Sequence, residues 1–100
     1  MGERSYVVVL QVHLFFPESG SLKAKRAELN RVKAHLRQRH GASVAEVDHQ
    51  DTWQRATLAF ATVSGEERMA KAVLDEVDRF VWSFPEVEVL ESRVRWLEDD

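Results

Sequence analysis

One stretch near the N-terminus limits the choice of fold more than any other. Residues 5–16, SYVVVLQVHLFF, run at the strand period of two, and both faces are rich in apolar side chains. Val8, Leu10, Val12 and Leu14 share one face; Val7, Val9, Gln11, His13 and Phe15 share the other. A strand of this kind needs cover and neighbours on both sides, so it belongs in the middle of a sheet. The chain has 100 residues, which suits one domain spanning 1–100 with a core of modest size.

The remaining elements follow from periodicity and punctuation. PESG at 17–20 is a turn by composition. Ser21 is placed to cap a helix that carries Leu22, Leu29, Val32 and Leu36 on one stripe and stops at Gly41. Ala24, Ala27, Arg31 and Ala34 fall on the far face of that helix, short side chains among basic ones. Residues 42–48 read as a short, half-polar edge strand and 49–51 as a turn. Residues 53–63 read as a third strand, with Ala56, Leu58, Phe60 and Thr62 on one face and Arg55, Thr57, Ala59 and Ala61 on the other. Ser64 and Glu67 have the spacing of a capping box. The helix behind them carries Met69, Ala70, Val73, Val77, Phe80, Val81 and Phe84 on its buried stripe, turns Trp82 away, and ends before Pro85. Residues 86–97 complete a fourth strand, and 98–100 form a solvated tail.

The order β-α-β-β-α-β is the ferredoxin-like, split βαβ pattern of the α+β class. Short connections and right-handed crossovers give a four-stranded antiparallel sheet ordered 4-1-3-2, with both helices on one face. That topology gathers residues 17–25, 48–55 and 82–86 at one end of the fold.

Charge is uneven along the chain. Residues 21–41 hold Lys23, Lys25, Arg26, Arg31, Lys33, Arg37 and Arg39 against Glu28 alone, a local +6 in a chain of net −3. A basic element on an acidic body suits an anionic partner or an acidic patch on a second copy. The absence of cysteine removes disulfides, thiol nucleophiles and Cys-type zinc sites. No apolar run reaches the roughly 20 residues that span a bilayer, and the N-terminus lacks the flanks of a signal peptide, so the expected location is cytoplasmic with no membrane contact.

The segments Ser21-Leu22-Lys23-Ala24-Lys25-Arg26 and VAEVDHQDTWQRA at 44–56 resemble the DUF503, or YlxP-like, family of small bacterial proteins, and the likeness runs over nearly the whole chain. The family usually has Glu where Ala24 stands and Leu where Thr52 stands; the first difference takes an acid from the possible site. The resemblance implies a ferredoxin-like fold and no established activity. Genes of such proteins often lie near translation-initiation and ribosome-maturation genes, which carries over as an expected ribosome or RNA connection.

Four groups of residues are candidates for chemistry. Asp48, His49 and Asp51 could form a metal or hydrolytic site, or could simply bond turn amides and a nearby arginine. Neighbours on a strand point to opposite faces, so Asp48 and His49 converge only if the turn rotates one of them. Trp53 and Arg55 could stack on a base and clamp a phosphate, or could plug the core and pair with Asp48 or Asp51. Lys23, Lys25, Arg26 and Arg31 could neutralise phosphates, although Lys25 and Lys33 lie at the margins of the apolar stripe and can cover the core edge instead. The open sheet face, with Val7, Val9, Thr57, Ala59, Ala61, Val87 and Val89, suits a homodimer rimmed by Glu91, Arg93 and Arg95, unless Val89-Leu90 marks a bulge that changes the phase. The asparagine and loop arginine of an acylphosphatase-like site are missing, as are a glycine-rich phosphate loop and a metalloprotease helix motif. The reading from sequence is a binding protein rather than an enzyme, with no cofactor or metal and with RNA, a ribosome or a second copy as partner.

Overall fold

The structure, a computed structural model, describes residues 4–41 and 43–97. Among them the elements run β1 (Tyr6–Phe15), α1 (Leu22–His40), β2 (Ser43–Asp48), β3 (Arg55–Ser64), α2 (Glu67–Trp82) and β4 (Glu88–Leu97). The four strands form one antiparallel sheet ordered β2-β3-β1-β4, the expected order read from its other edge. The ferredoxin-like α+β layout is therefore the observed one. Ala42, expected to start the second strand, and the tail at 98–100 lie outside the described residues.

β1 sits in the middle because its pattern allows nothing else. Val8, Leu10, Val12 and Leu14 are all buried beneath the helices, opposite Thr62, Phe60, Leu58 and Ala56 of β3. Burying each such side chain is worth about 1.5–3 kcal/mol, so this face holds the register. α1 begins where expected: the Ser21 Oγ accepts the Ala24 N–H at 3.0 Å. It ends at Gly41, whose φ of 59° lets its N–H turn back to the Arg37 carbonyl at 3.0 Å.

Three expectations need correction. The buried face of α1 is Lys25, Leu29, Val32 and Leu36, so Lys25 belongs to the stripe and not to its margin. The capping box at α2 is not formed among the described residues. Ser64 is still paired with Tyr6 as the last residue of β3, so the helix starts at Glu67 with Glu66 as its cap residue, and the Ser64 Oγ accepts only the Glu66 N–H. The α2 stripe includes Leu74, while Met69 is half exposed.

The fourth strand is out of the expected phase. Its ladder with β1 pairs His13 with Glu91 and then Leu14 with Val89, skipping Leu90. This bulge turns Val89 to the helix side, where it packs on the core with Val87. Glu91, Arg93 and Arg95, opposite His13, Gln11 and Val9, stay on the open face. The open face thus loses two of the apolar residues assigned to it from sequence.

Candidate functional site

The end of the fold where β1 stops is built around the Lys25 ammonium. Its residue is fully buried, and Nζ donates to Glu46 Oε2 at 3.2 Å and to the carbonyls of His49, Gln50 and Arg55 at 2.9, 3.4 and 3.1 Å. Four acceptors around one buried cation fix the β2–β3 turn to the first turns of α1. The Phe16 N–H adds a bond to the Gln54 carbonyl at 2.8 Å, and the Gln54 side chain reaches the Pro17 carbonyl at 3.4 Å. The convergence of 17–25 with 48–55 is real, and Glu86 joins it at a pocket of about 290 Å³ that Phe16, Ser19, Ala24 and Ala27 also line.

On the open face, register assembles a polar row. Asp48 lies opposite Thr57, Thr57 opposite His13, and His13 opposite Glu91. Two ladder irregularities flank the row, one between Glu46 and Asp48 and one at Leu90. His49 takes a left-handed backbone, φ 64°, with its N–H held by Asp48 Oδ1 at 2.8 Å. The turn therefore does rotate one of the two neighbours: Asp48 and His49 both line a pocket of about 130 Å³ with Gln11, His13, Thr57, Glu91 and Arg93. The His49 ring stacks on His13, centroids 4.6 Å apart, and its Nδ1 lies 3.0 Å from the Thr57 hydroxyl.

His13 Nε2 is buried without a partner. Burial, then the nearby Arg55 and His49, hold the His13 pKa below its ordinary 6.5, against the pull of Glu91 and Asp48. The ring at the centre of the row is thereby kept neutral near pH 7. No three His, Asp or Glu among the described residues converge as a metal site.

The other candidates are placed as follows. Trp53 is not in β3 but in the turn before it, 53% exposed and outside the core, so it does not plug the domain end. Arg55 starts β3, exposed, and pairs with neither Asp48 nor Asp51 among the described residues. Asp51 is exposed in the turn. On α1, Lys23 and Arg26 are exposed, whereas Arg31 pairs with Glu28 and Arg37 donates to the Val44 carbonyl at 3.1 Å. Glu46, Thr57 and Glu91 were not singled out from sequence as site residues. Lys25 was singled out, but as a phosphate contact; its spacing to Leu29, Val32 and Leu36, that of one helical stripe, could have placed it inside.

Comparison with known proteins agrees with the fold and leaves the activity open. The family described as "Protein of unknown function (DUF503)" matches residues 7–94. The chain is 38% identical over 79 residues to "Uncharacterized protein YlxP" of Bacillus subtilis (strain 168), covering 79% of this chain and 86% of that protein. Among solved structures it is similar to "De novo designed protein Foldit4", with a TM-score of 0.56 over 97% of this chain and 100% of the other. At 10% identity that likeness speaks for the fold alone.

Proposed function

The chain belongs to the DUF503 family, and from the geometry of its hairpin end we propose that it is a small cytoplasmic RNA-binding protein acting on ribosomal or other structured RNA. The observation that carries the reading is Trp53, a large aromatic ring half exposed in the turn between β2 and β3. It stands two residues from Arg55, a cation that pairs with neither acid of the turn. An exposed ring two residues from a guanidinium that has no ion pair among the described residues supports stacking on an unpaired base with clamping of its phosphate. Lys23 and Arg26, exposed at the start of α1, supply further positive charge at that end. Lys25 and Arg37 serve internal acceptors and drop out of the contact surface, whereas Arg31, more than half exposed and paired only with Glu28 on its own helix, stays on it.

An enzyme centred on His49 with Asp48 or Asp51 has weaker support, because the His49 ring is stacked and its Nδ1 faces Thr57. No helix among the described residues is long and apolar enough to cross a membrane.

The test is binding to ribosomal subunits and to bulk structured RNA across a salt series. Affinity should fall steeply with salt, and Lys23→Glu/Arg26→Glu should remove most of it. Trp53→Ala should weaken binding by about 5- to 150-fold, the range for loss of one stacked base. Absence of binding at low salt, or indifference to all three substitutions, would refute the proposal.

A further inference from the structure

β4 is an edge strand of ten residues that contains no proline, and β1 is its one neighbour in the sheet. The helices leave it under-covered. Val94 lies opposite buried Leu10 on the helix side yet is 46% exposed; Leu90, at the bulge, is 47% exposed, and Leu97, opposite Val7 on the open face, is 70% exposed. The other edge, β2, is shorter, six residues, and is anchored from beneath by Lys25 through Glu46. A long edge strand with exposed apolar residues is a template for another strand.

We propose that β4 pairs antiparallel with β4 of a second copy, about a two-fold axis at Ser92, joining two sheets edge to edge. The occupant and the register both follow from charge. A two-fold axis normal to the sheet keeps the helices of both copies on one face, and directly opposed residues then share a face. Centring on Ser92 sets Glu91 against Arg93 of the second copy, twice, and brings Val94 to the level of Leu90, twice. Centring one residue earlier sets Glu91 against itself, and one residue later sets Arg93 against itself. Centring on Val94 opposes Arg93 to Arg95 twice, and centring on Leu90 leaves only the N-terminal half of the strand overlapped. One register in this set matches acid to base at 91 and 93 and apolar to apolar at 90 and 94, the residues around the axis; beyond them the bulge at Leu90 ends the regular ladder, because Val89 lies on the helix side and Arg95 on the open face. Glu91 and Arg93 now pair along their own strand at 3.3 Å, both more than half exposed, and so are free to exchange partners. The inference stands apart from RNA binding, since β4 contributes neither Trp53 nor Arg55.

The cysteine-free chain permits a direct test. Ser92→Cys places two thiols opposite each other at the axis, within disulfide reach, whereas the two Arg95→Cys thiols lie on opposite sides of the axis and do not meet. Under mild oxidation Ser92→Cys should give covalent dimer at least about tenfold faster than Arg95→Cys. For the unaltered chain, light scattering at high micromolar concentration should give a mass above 11.6 kDa. Glu91→Arg should weaken this association about tenfold or more, and Glu91→Arg/Arg93→Glu should restore it, because the swap keeps both pairs between positions 91 and 93 complementary. A monomer at high concentration, equal cross-linking at the two cysteine positions, or failure of the charge swap to restore association each overturns the proposal.

Discussion

Replacing Lys25 by Met keeps a stem of similar length and deletes the ammonium, so it isolates what the charge does. In the native chain that ammonium meets one carboxylate and three carbonyls, with the lysine fully buried and the Glu46 side chain 15% exposed. Met leaves the Glu46 carboxylate nearly buried without a counter-ion, and removing one partner of such a pair costs about 3–5 kcal/mol. Three carbonyls of the β2–β3 turn lose their donor as well, although water can reach an exposed turn and recover part of that loss. The smaller value, about 3 kcal/mol, is the safer expectation. It is a large share of the roughly 5–15 kcal/mol that stabilise a domain of this size. At about 4–8 °C per kcal/mol, thermal unfolding followed by far-ultraviolet circular dichroism should drop by at least about 12 °C. Lys25→Met/Glu46→Leu should be less unstable than the sum of its single changes, by about 1–3 kcal/mol, because no charge is left stranded. Amide exchange in the turn should accelerate more than exchange in the centre of β1. A fall below about 4 °C with no coupling to Glu46 would refute the reasoning and return Lys25 to the exposed cations of α1.

Three further outcomes are expected. The His13 pKa is lower folded than unfolded, so the unfolded chain binds the proton more readily; stability should be full above about pH 6.5 and be lost as pH falls through the folded pKa, with His13→Gln flattening this part of a pH-dependent urea titration. Gly41→Ala should cost about 1 kcal/mol in the same unfolding assay, since an L-residue resists the left-handed backbone there and no neighbour lies within 4 Å to add a clash or a contact. Trp53→Ala should change stability by less than about 1 kcal/mol, because the ring lies outside the core, so any large loss of RNA affinity in that variant is a loss of contact and not of fold.

The fold was legible because it rests on local periods. The two-faced pattern of β1 put it in the middle of the sheet, and Ser21 and Gly41 marked the ends of α1 as they do in the structure. The site was legible only in part, because its contacts join residues far apart in the chain. Asp48, Thr57, His13 and Glu91 belong to four different strands, and register alone makes them a row. The β4 phase was hidden by Leu90: a bulge adds one residue without changing composition, so alternation read straight through it assigns Val87 and Val89 to the wrong face. Lys25 was hidden by its type. A lysine on an apolar stripe normally runs its stem along the core and leaves its head in water. Here the head finds Glu46 and the turn carbonyls instead, partners that no local pattern points to.

The two ladder irregularities connect the core to the candidate site. Both lie beside the row that contains His13, one on β2 and one on β4. Without the skipped Leu90, strict alternation would force a choice. Either Val89 faces the core and its neighbours on the far side lose their phase, or Glu91 and Arg93 reach the open face and Val89 is expelled with them. The bulge allows both placements at once. On β2, the shift between Glu46 and Asp48 does the same for a different pair: Glu46 keeps its carboxylate on the buried Lys25 while Asp48 comes round to face Thr57. The apolar face of β1 cannot slide, because Val8, Leu10, Val12 and Leu14 are buried under the helices. His13 is therefore held in place by its own core neighbours, and the strands on either side bend their registers to meet it.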